Sequence, residues 1–323
     1  MSQIEFSSWL APHLSQHLAL KRACGYTYAG QARLLGGFDR FLVAHGSTPP
    51  LTTELLREFL ITKSRLSPRS RDNYASLVWQ ALAYAKRHGA PIEALPDRPR
   101  SAPTGHRVRE PFVLSHDQIE RLLAAALELT PKFPFLRATN ACCLGLLYTT
   151  GLRIDEALAR DVGDLDHREQ TLFVRGGKFK KDRLLPLSES TAAALLHYIE
   201  NPLRPIGRDS GTPLFVSSRR RRLRAPSVRV ALCKAARLAG LEDGSGRLPR
   251  PHDLRHTFAV HRIVTWYREG RDVNVLLPVL STYMGHLSPA STYTYLRSAE
   301  LLFGEAAQRF ELSASRALDG RSA

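Results

Sequence analysis

The sequence predicts a mainly α-helical chain with a small antiparallel β-sheet in its second half, an α+β arrangement spread over two domains. Three observations carry that expectation. Apolar residues recur at helical spacing through residues 3–89. A stretch dense in proline and arginine, residues 91–113, then interrupts the helical pattern. Further on, two short β-rich runs, 171–174 and 183–187, flank a turn rich in glycine and lysine. At 323 residues the chain is long for one core and sufficient for two. The expected boundaries are 1–90 for a helical domain, 91–113 for a linker and 114–323 for the second domain.

In the first domain, Leu34, Leu35, Phe38, Phe41 and Leu42 fall on one helical face. So do Leu55, Leu56, Phe59 and Leu60, and then Tyr74, Leu77, Val78, Ala81, Leu82 and Ala85. Breaks at 46–50, at Ser67-Pro68 and at 89–91 leave a four-helix unit with short connections. Lys63, Arg65, Arg69 and Arg71 crowd one connection; this is either a solvated loop or an edge that contacts phosphates. In the linker, Pro91, Pro96, Pro99, Pro103 and Pro111 forbid a continuous helix and stiffen an extended chain. Arg98, Arg100, Arg107 and Arg109 between them suit a segment lying along a phosphate backbone.

The second domain opens at Ser115, an N-cap residue with Gln118 three positions on. The helix that follows turns Ile119, Leu122, Leu123, Ala126 and Leu127 inward. A second apolar helix runs to Thr150 and stops at Gly151. Residues 175–182 read as a hairpin loop between the two strands, and Pro186 marks the second strand as a sheet edge. Leu195, Leu196 and Ile199 mark another helix, and 214–216 another short strand. A helix from Val228 to Leu238 ends at Gly240. The remainder is mostly helical, with breaks near Gly270, Pro278 and Gly285.

Charge narrows the function. Lys and Arg total 46 against 30 Asp and Glu, a formal net charge of +16. Such a field attracts polyanions, nucleic acid foremost. Cys24, Cys142, Cys143 and Cys233 form no Cys-x-x-Cys pair and read as reduced, core-facing thiols. The start of the chain lacks a basic segment followed by an apolar run, and the most apolar stretch, 138–150, is too short to span a bilayer. These features point to the cytoplasm and away from a membrane.

Three separated stretches carry the chemistry: Thr150-Gly151-Leu152-Arg153-Ile154-Asp155-Glu156, His252-Asp253-Leu254-Arg255-His256, and Gly285-His286 with Tyr293 and Tyr295 beyond it. A phosphodiester at its transition state spreads negative charge over its non-bridging oxygens, which planar guanidiniums match with paired N–H donors. Arg153 and Arg255 each sit in an apolar setting, where an arginine must find a partner, and Glu156 could serve Arg153 on the same helical face. His252 and His286 can donate to a phosphate or move a proton near neutral pH. His252 and His256, four apart, also permit metal binding, but no Glu stands between them and no third ligand is evident. A tyrosine hydroxyl can attack phosphorus. Tyr293 and Tyr295 lie roughly 200° apart on a helix, so one of them faces a given site and residue spacing does not choose. The leaving 5′ oxygen needs a proton, for which Lys178, Lys180 and Lys181 at the hairpin tip are the choices.

Together these residues resemble the tyrosine recombinases, also called the phage integrase family. The family's Thr-Gly-x-Arg-x-x-Glu is matched by Thr150, Gly151, Arg153 and Glu156. Its His-Asp-Leu-Arg-His-Thr-Phe-Ala is matched without change from His252 to Ala259. Its Gly-His, with a tyrosine nine residues after the histidine, is matched by Gly285, His286 and Tyr295, and so selects Tyr295 over Tyr293. The hairpin lysine falls on Lys178, with Lys181 and Arg183 in register. Two departures are Phe179, where the family usually has glycine, and a longer segment between Arg255 and His286.

The resemblance implies a helical core-binding domain and a catalytic domain closing as a C-shaped clamp on double-stranded DNA carrying specific core sites. Tyr295 would form a 3′-phosphotyrosyl bond, with His252 as general base, Lys178 as general acid, His286 holding the phosphate, and Glu156 buttressing Arg153 or His252. No metal and no cofactor would be needed. A homo-oligomer, a tetrameric synapse on DNA, would carry out integration, excision or transposition. DNA contacts are then expected at Lys63, Arg65, Arg69, Arg71, Arg107, Arg109, Lys180, Lys181, Arg183, Arg219, Arg220, Arg221 and Arg222. Alternatives of other kinds are a type IB topoisomerase, which shares the covalent chemistry, and a DNA-binding relative that has lost catalysis.

Overall fold

The computed structural model describes residues 5–93, 112–129, 133–176, 182–285, 292, 295 and 296. The chain divides into two compact units, Met1–Arg109 and Glu110–Ala323. Residues 94–111 of the expected linker, with Arg107 and Arg109, lie outside the described residues.

The first unit contains α1 (Ala11–Ala23), α2 (Ala29–Ala44), α3 (Thr53–Ile61) and α4 (Pro68–Arg87). The Thr52 hydroxyl accepts from the Leu55 amide at the start of α3. Ser67 does the same from Ser70 at α4, where Pro68 occupies the first turn and so forfeits no helical hydrogen bond. Leu14, Leu35, Phe38, Leu42, Phe59 and Val78 are wholly buried. Phe59 stands edge-on to Phe38 at 4.8 Å and to Tyr74 at 5.5 Å. The Tyr74 hydroxyl donates to the Leu34 carbonyl, tying α4 to α2. Leu34 itself is not on the inner face as expected but 43% exposed, because Leu35, Phe38 and Leu42 define the buried stripe one position further round. Lys63 lies over the Phe59 and Tyr74 rings, while Arg65, Arg69 and Arg71 are exposed.

The second unit follows the order α5 (His116–Glu128), α6 (Pro134–Thr150), α7 (Ile154–Leu158), a 3-10 turn (Val162–Asp164), β1 (Leu165–Asp166), β2 (Thr171–Val174), β3 (Arg183–Pro186), α8 (Glu189–Glu200), α9 (Ala225–Leu238), α10 (Pro251–Arg268) and α11 (Val273–Met284). Ser115 and Gln118 form the expected reciprocal cap on α5. The strands make one antiparallel sheet in the order β1-β2-β3, which puts Pro186 on an edge strand. The two-residue β1 was not expected; it is too short to leave an alternating pattern. Helix α6 lies at the centre, packed on α5, α8, α9 and α10. Its buried Cys143, Leu144, Leu146 and Leu147 anchor the main core.

Four expectations need correction. Residues 214–216 are not a strand; Leu214, Phe215 and Val216 are wholly buried, with isolated bridges joining Pro213 to Asp161 and Val216 to Arg222. An apolar run of three meets the burial requirement of a strand without the length to build a ladder. Pro278 breaks nothing: it lies inside α11. It is exposed, so the Asn274 carbonyl that loses a helical donor, also on the exposed side, can turn to water. Cys24 is exposed rather than core-facing. Leu127 is 47% exposed, because α5 buries Ile119, Leu122, Ala125 and Ala126 instead. Among the described residues, no helix is long and apolar enough to cross a membrane.

Candidate active site

The site grows from the end of α6. Gly151 closes that helix in the left-handed region at φ +61, and a Cβ there would lie 2.5 Å from the Phe258 ring of α10. Glycine is therefore required twice, for its backbone angle and for the close approach of α10. The chain then turns extended through Leu152 and Arg153, and Arg153 caps the short α7. Its backbone N–H and its Nη1 both donate to Glu156, at 3.1 and 3.0 Å, and its Nη2 donates to the Gly285 carbonyl at 3.1 Å. The expected Arg153–Glu156 pair is present, but as the entrance to a helix rather than a pair along one. The Arg153 side chain keeps 30% of its surface exposed.

Glu156 is buried and serves a second arginine. Arg183, on β3, donates Nη2 to Oε2 at 2.9 Å and Nη1 to Oε1 at 3.3 Å, and its Nε donates to the Tyr283 carbonyl at 3.1 Å. Burial by itself raises the carboxyl pKa, but the Arg183 hydrogen bonds and charge, with those of Arg153, outweigh it and leave a net lowering. Gly285, which ends α11 at φ +68, lies against this arrangement: a Cβ there would be 2.9 Å from Arg183 Nη1. Arg183 was expected to contact DNA; its guanidinium is instead committed inward.

Arg255 comes from the first turns of α10, where Pro251 takes a position whose missing N–H costs nothing. It is 1% exposed, and it donates Nη1 to the Gly151 carbonyl at 2.6 Å and Nη2 to the Met284 carbonyl at 2.8 Å. The Tyr295 phenol lies within its electrostatic reach. Burial, and then the charge of Arg153, push its pKa down to about 10, and Tyr295 acts against that shift. Tyr295 is itself 2% exposed, packed in a satellite core with Phe258, Ile263, Leu277 and Met284. The His256 ring meets it edge-on at 4.8 Å, and His252 meets His256 edge-on at 4.7 Å. Desolvation, followed by the Arg255 charge, lowers the pKa of His252, although that residue faces solvent. Desolvation and then His252 lower His256 to about 4.

The fold thus brings together Arg153, Glu156, His252, Arg255 and Tyr295, and adds two residues that sequence reasoning used otherwise or not at all. Arg183 was read as a DNA-contacting charge and as in register with the hairpin lysine motif; its buried partner, Glu156, lies far from it in sequence. His256 was weighed only as a metal ligand; among the described residues there is no group of three or more His, Cys, Asp or Glu placed to hold a metal. Lys178, Lys180, Lys181, His286 and Tyr293 lie outside the described residues. Arg219, Arg220 and Arg221 are exposed. Arg222 pairs with Asp161 and donates to the Leu158 and Arg160 carbonyls, while its side chain keeps 39% of its surface exposed.

Residues 113–301 match the model of the phage integrase family. The chain is 32% identical over 304 residues to a Sinorhizobium fredii protein named integrase/recombinase y4rE, covering 94% of this chain and 96% of that one. It is 32% identical over 292 residues to the tyrosine recombinase XerD of Mycobacterium tuberculosis, covering 86% and 89%. Among solved structures, the XerH site-specific recombinase bound to a palindromic difH substrate aligns with a TM-score of 0.63 at 21% identity, over 88% of this chain and 79% of that one. With that fold, and with a family match over more than half its length, the chain belongs to the phage integrase family of tyrosine recombinases.

Proposed function

We propose that this protein cuts and rejoins double-stranded DNA at specific core sites through a 3′-phosphotyrosyl intermediate on Tyr295. The observation that supports the reading is that Arg153 and Arg255, from distant stretches, converge on the carbonyls of Gly151, Met284 and Gly285, with Tyr295 buried beside His256 and within electrostatic reach of Arg255. Two guanidiniums and one phenol at one point are what an in-line attack on a phosphodiester requires.

In the DNA-free arrangement Tyr295 and Arg255 are both buried and within electrostatic reach of each other. A scissile phosphate would first bind at the exposed side of Arg153. It would then take the place of the phenol beside Arg255, which would make charge-assisted bonds to its oxygens. His252, solvent-facing and with a lowered pKa, is neutral at pH 7 and so offers an acceptor nitrogen to the phenol proton. As the Tyr295 oxygen bonds to phosphorus, the bond from phosphorus to the 5′ oxygen breaks and Lys178 protonates that oxygen. His286 would hold a non-bridging oxygen. Attack by a 5′-hydroxyl of a second duplex reverses the step, so the ester conserves the bond energy and neither ATP nor metal is needed.

The DNA contacts would come from Lys63, Arg65, Arg69 and Arg71 of the helical domain, the linker arginines, Lys180, Lys181 and Arg219 to Arg221. Assembly would be a tetramer on DNA, as in the lambda integrase tetramer bound to a Holliday junction. Integration, excision and transposition share this chemistry.

Tyr295→Phe is expected to bind core-site DNA with unchanged affinity and to form no covalent adduct in gel assays. Arg255→Ala is expected to slow cleavage by about 10², the scale of losing one preorganised donor. Adducts that persist in Tyr295→Phe would remove the phenol from its role.

A further inference from the structure

The first unit holds a cavity that the strand-cutting chemistry does not use. It measures about 240 Å³ and lies between α1 and α4, lined by His17, Lys21, Trp79, Gln80, Tyr84 and Arg87. His17 is the one buried residue among these six. It is 2% exposed, and neither of its ring nitrogens has a hydrogen-bond partner. The Tyr84 and Tyr28 rings stand 5.3 and 6.1 Å from the imidazole. Two buried polar atoms without partners cost free energy that a phenylalanine of similar shape would not. Burial, then Lys21, lower the His17 pKa to about 4. At pH 7 the ring is therefore neutral, with one nitrogen a donor and the other an acceptor.

The rest of the lining narrows what such a ring could meet. Lys21 is half-buried and Arg87 exposed, and neither forms an ion pair among the described residues. Each lies in the last turn of its helix, where the dipole favours a cation. That accounts for the two charges and leaves the imidazole without a reason. Trp79 and Tyr84 add aromatic surface on which a planar ring can stack. Gln80 adds an amide that both donates and accepts. A phosphate alone would use the cations and not the rings; an apolar segment would use the rings and not the cations. A heteroaromatic base carrying a phosphate uses both. The volume falls below the range of about 300–1,000 Å³ usual for larger ligands, which suits one nucleotide rather than a longer segment.

We propose that this cavity binds a single nucleotide unit, its base against His17 and Trp79 and its phosphate on Lys21 and Arg87. The unit is either a free nucleotide or an unpaired residue of a DNA strand; the recognition chemistry is the same for both. The site lies wholly within the first unit and does not depend on the role assigned to Tyr295.

The full chain would be titrated by calorimetry with the four deoxynucleoside monophosphates, their nucleosides and inorganic phosphate. At least one monophosphate is expected to bind at one site per chain, about tenfold or more tighter than its nucleoside or phosphate alone. His17→Phe should weaken it about tenfold, the scale of one lost hydrogen bond. Lys21→Gln combined with Arg87→Gln should reduce it to the affinity of the nucleoside. Thermal melts show which variants fold; if His17→Phe does not, the double variant carries the comparison. Duplexes with one unpaired nucleotide, made with each base and set against the fully paired duplex, identify the source. Tighter binding of an unpaired form that the folded variants abolish assigns the site to DNA. Equal binding of paired and unpaired forms, with a monophosphate still bound, assigns it to a free nucleotide. The proposal is overturned if neither a monophosphate nor an unpaired residue is bound. It is equally overturned if phosphate alone binds as tightly, or if the folded variants bind as the parent does.

Discussion

Glu156 is the residue on which the site's charge balance turns. Two guanidiniums, Arg153 and Arg183, converge on its buried carboxylate. Glu156→Ala is expected to destabilise the second unit by about 3 kcal/mol, the scale of leaving a buried partner uncompensated, read as a lower denaturant midpoint at unchanged slope. Gly151 presents the steric counterpart: Gly151→Ala should cost at least about 1 kcal/mol through its backbone angle alone. The displaced Phe258 adds to that and should appear in both melting and cleavage. A third residue is informative far from the site. His17 of α1 is 2% exposed, neither ring nitrogen has a hydrogen-bond partner among the described residues, and burial, then Lys21, lower its pKa to about 4. A histidine with a depressed folded pKa binds fewer protons folded than unfolded between about 4 and 6.5. Its contribution is therefore complete above that window and is lost as pH falls through it. Thermal melts from pH 7 to pH 4.5 should show less acid destabilisation in His17→Phe than in the parent; equal slopes would assign the effect to other groups.

At the level of elements, some signals were legible because they are local. The Ser115–Gln118 cap, the stop at Gly151 and the edge position of Pro186 each follow from the chemistry of one or two residues, and each is where the sequence places it. Ser115→Ala is expected to lower stability by about 1 kcal/mol without altering cleavage, because the reciprocal Ser115–Gln118 cap involves none of the candidate site residues; calorimetry and single-turnover assays together would check this. Other elements were illegible for reasons equally physical. Residues 214–216 satisfy the burial of a strand but not its pairing, and pairing is a property of the partner. Pro278 was read as a breaker, yet it and Asn274, the residue whose carbonyl loses a helical donor, are both exposed. The ion pairs of Arg183 and Arg222 are made to carboxylates distant in sequence, Glu156 and Asp161, which charge counting along the chain does not reveal.

On the scale of the whole molecule, a formal net charge of +16 is spread over two units of different character. The first is a small helical unit whose core is aromatic and aliphatic, with Arg65, Arg69 and Arg71 at its surface. The second carries the candidate site. The order Arg153, Arg255, Tyr295 along the chain was legible, and so was the chemistry those residue types allow. What sequence did not reveal is the state in which they meet: Tyr295, the proposed nucleophile, and Arg255 are both buried, within electrostatic reach of each other. On the proposed mechanism, DNA separates them before cleavage. The most direct measurement is a suicide core-site duplex that traps the cut intermediate, followed by protease digestion and mass spectrometry of the DNA-linked peptide. The account predicts a single adduct, through the hydroxyl of Tyr295 to a 3′ phosphate, with a free 5′-hydroxyl on the released strand. Attachment through Tyr293, through any other residue, or to a 5′ phosphate would contradict it.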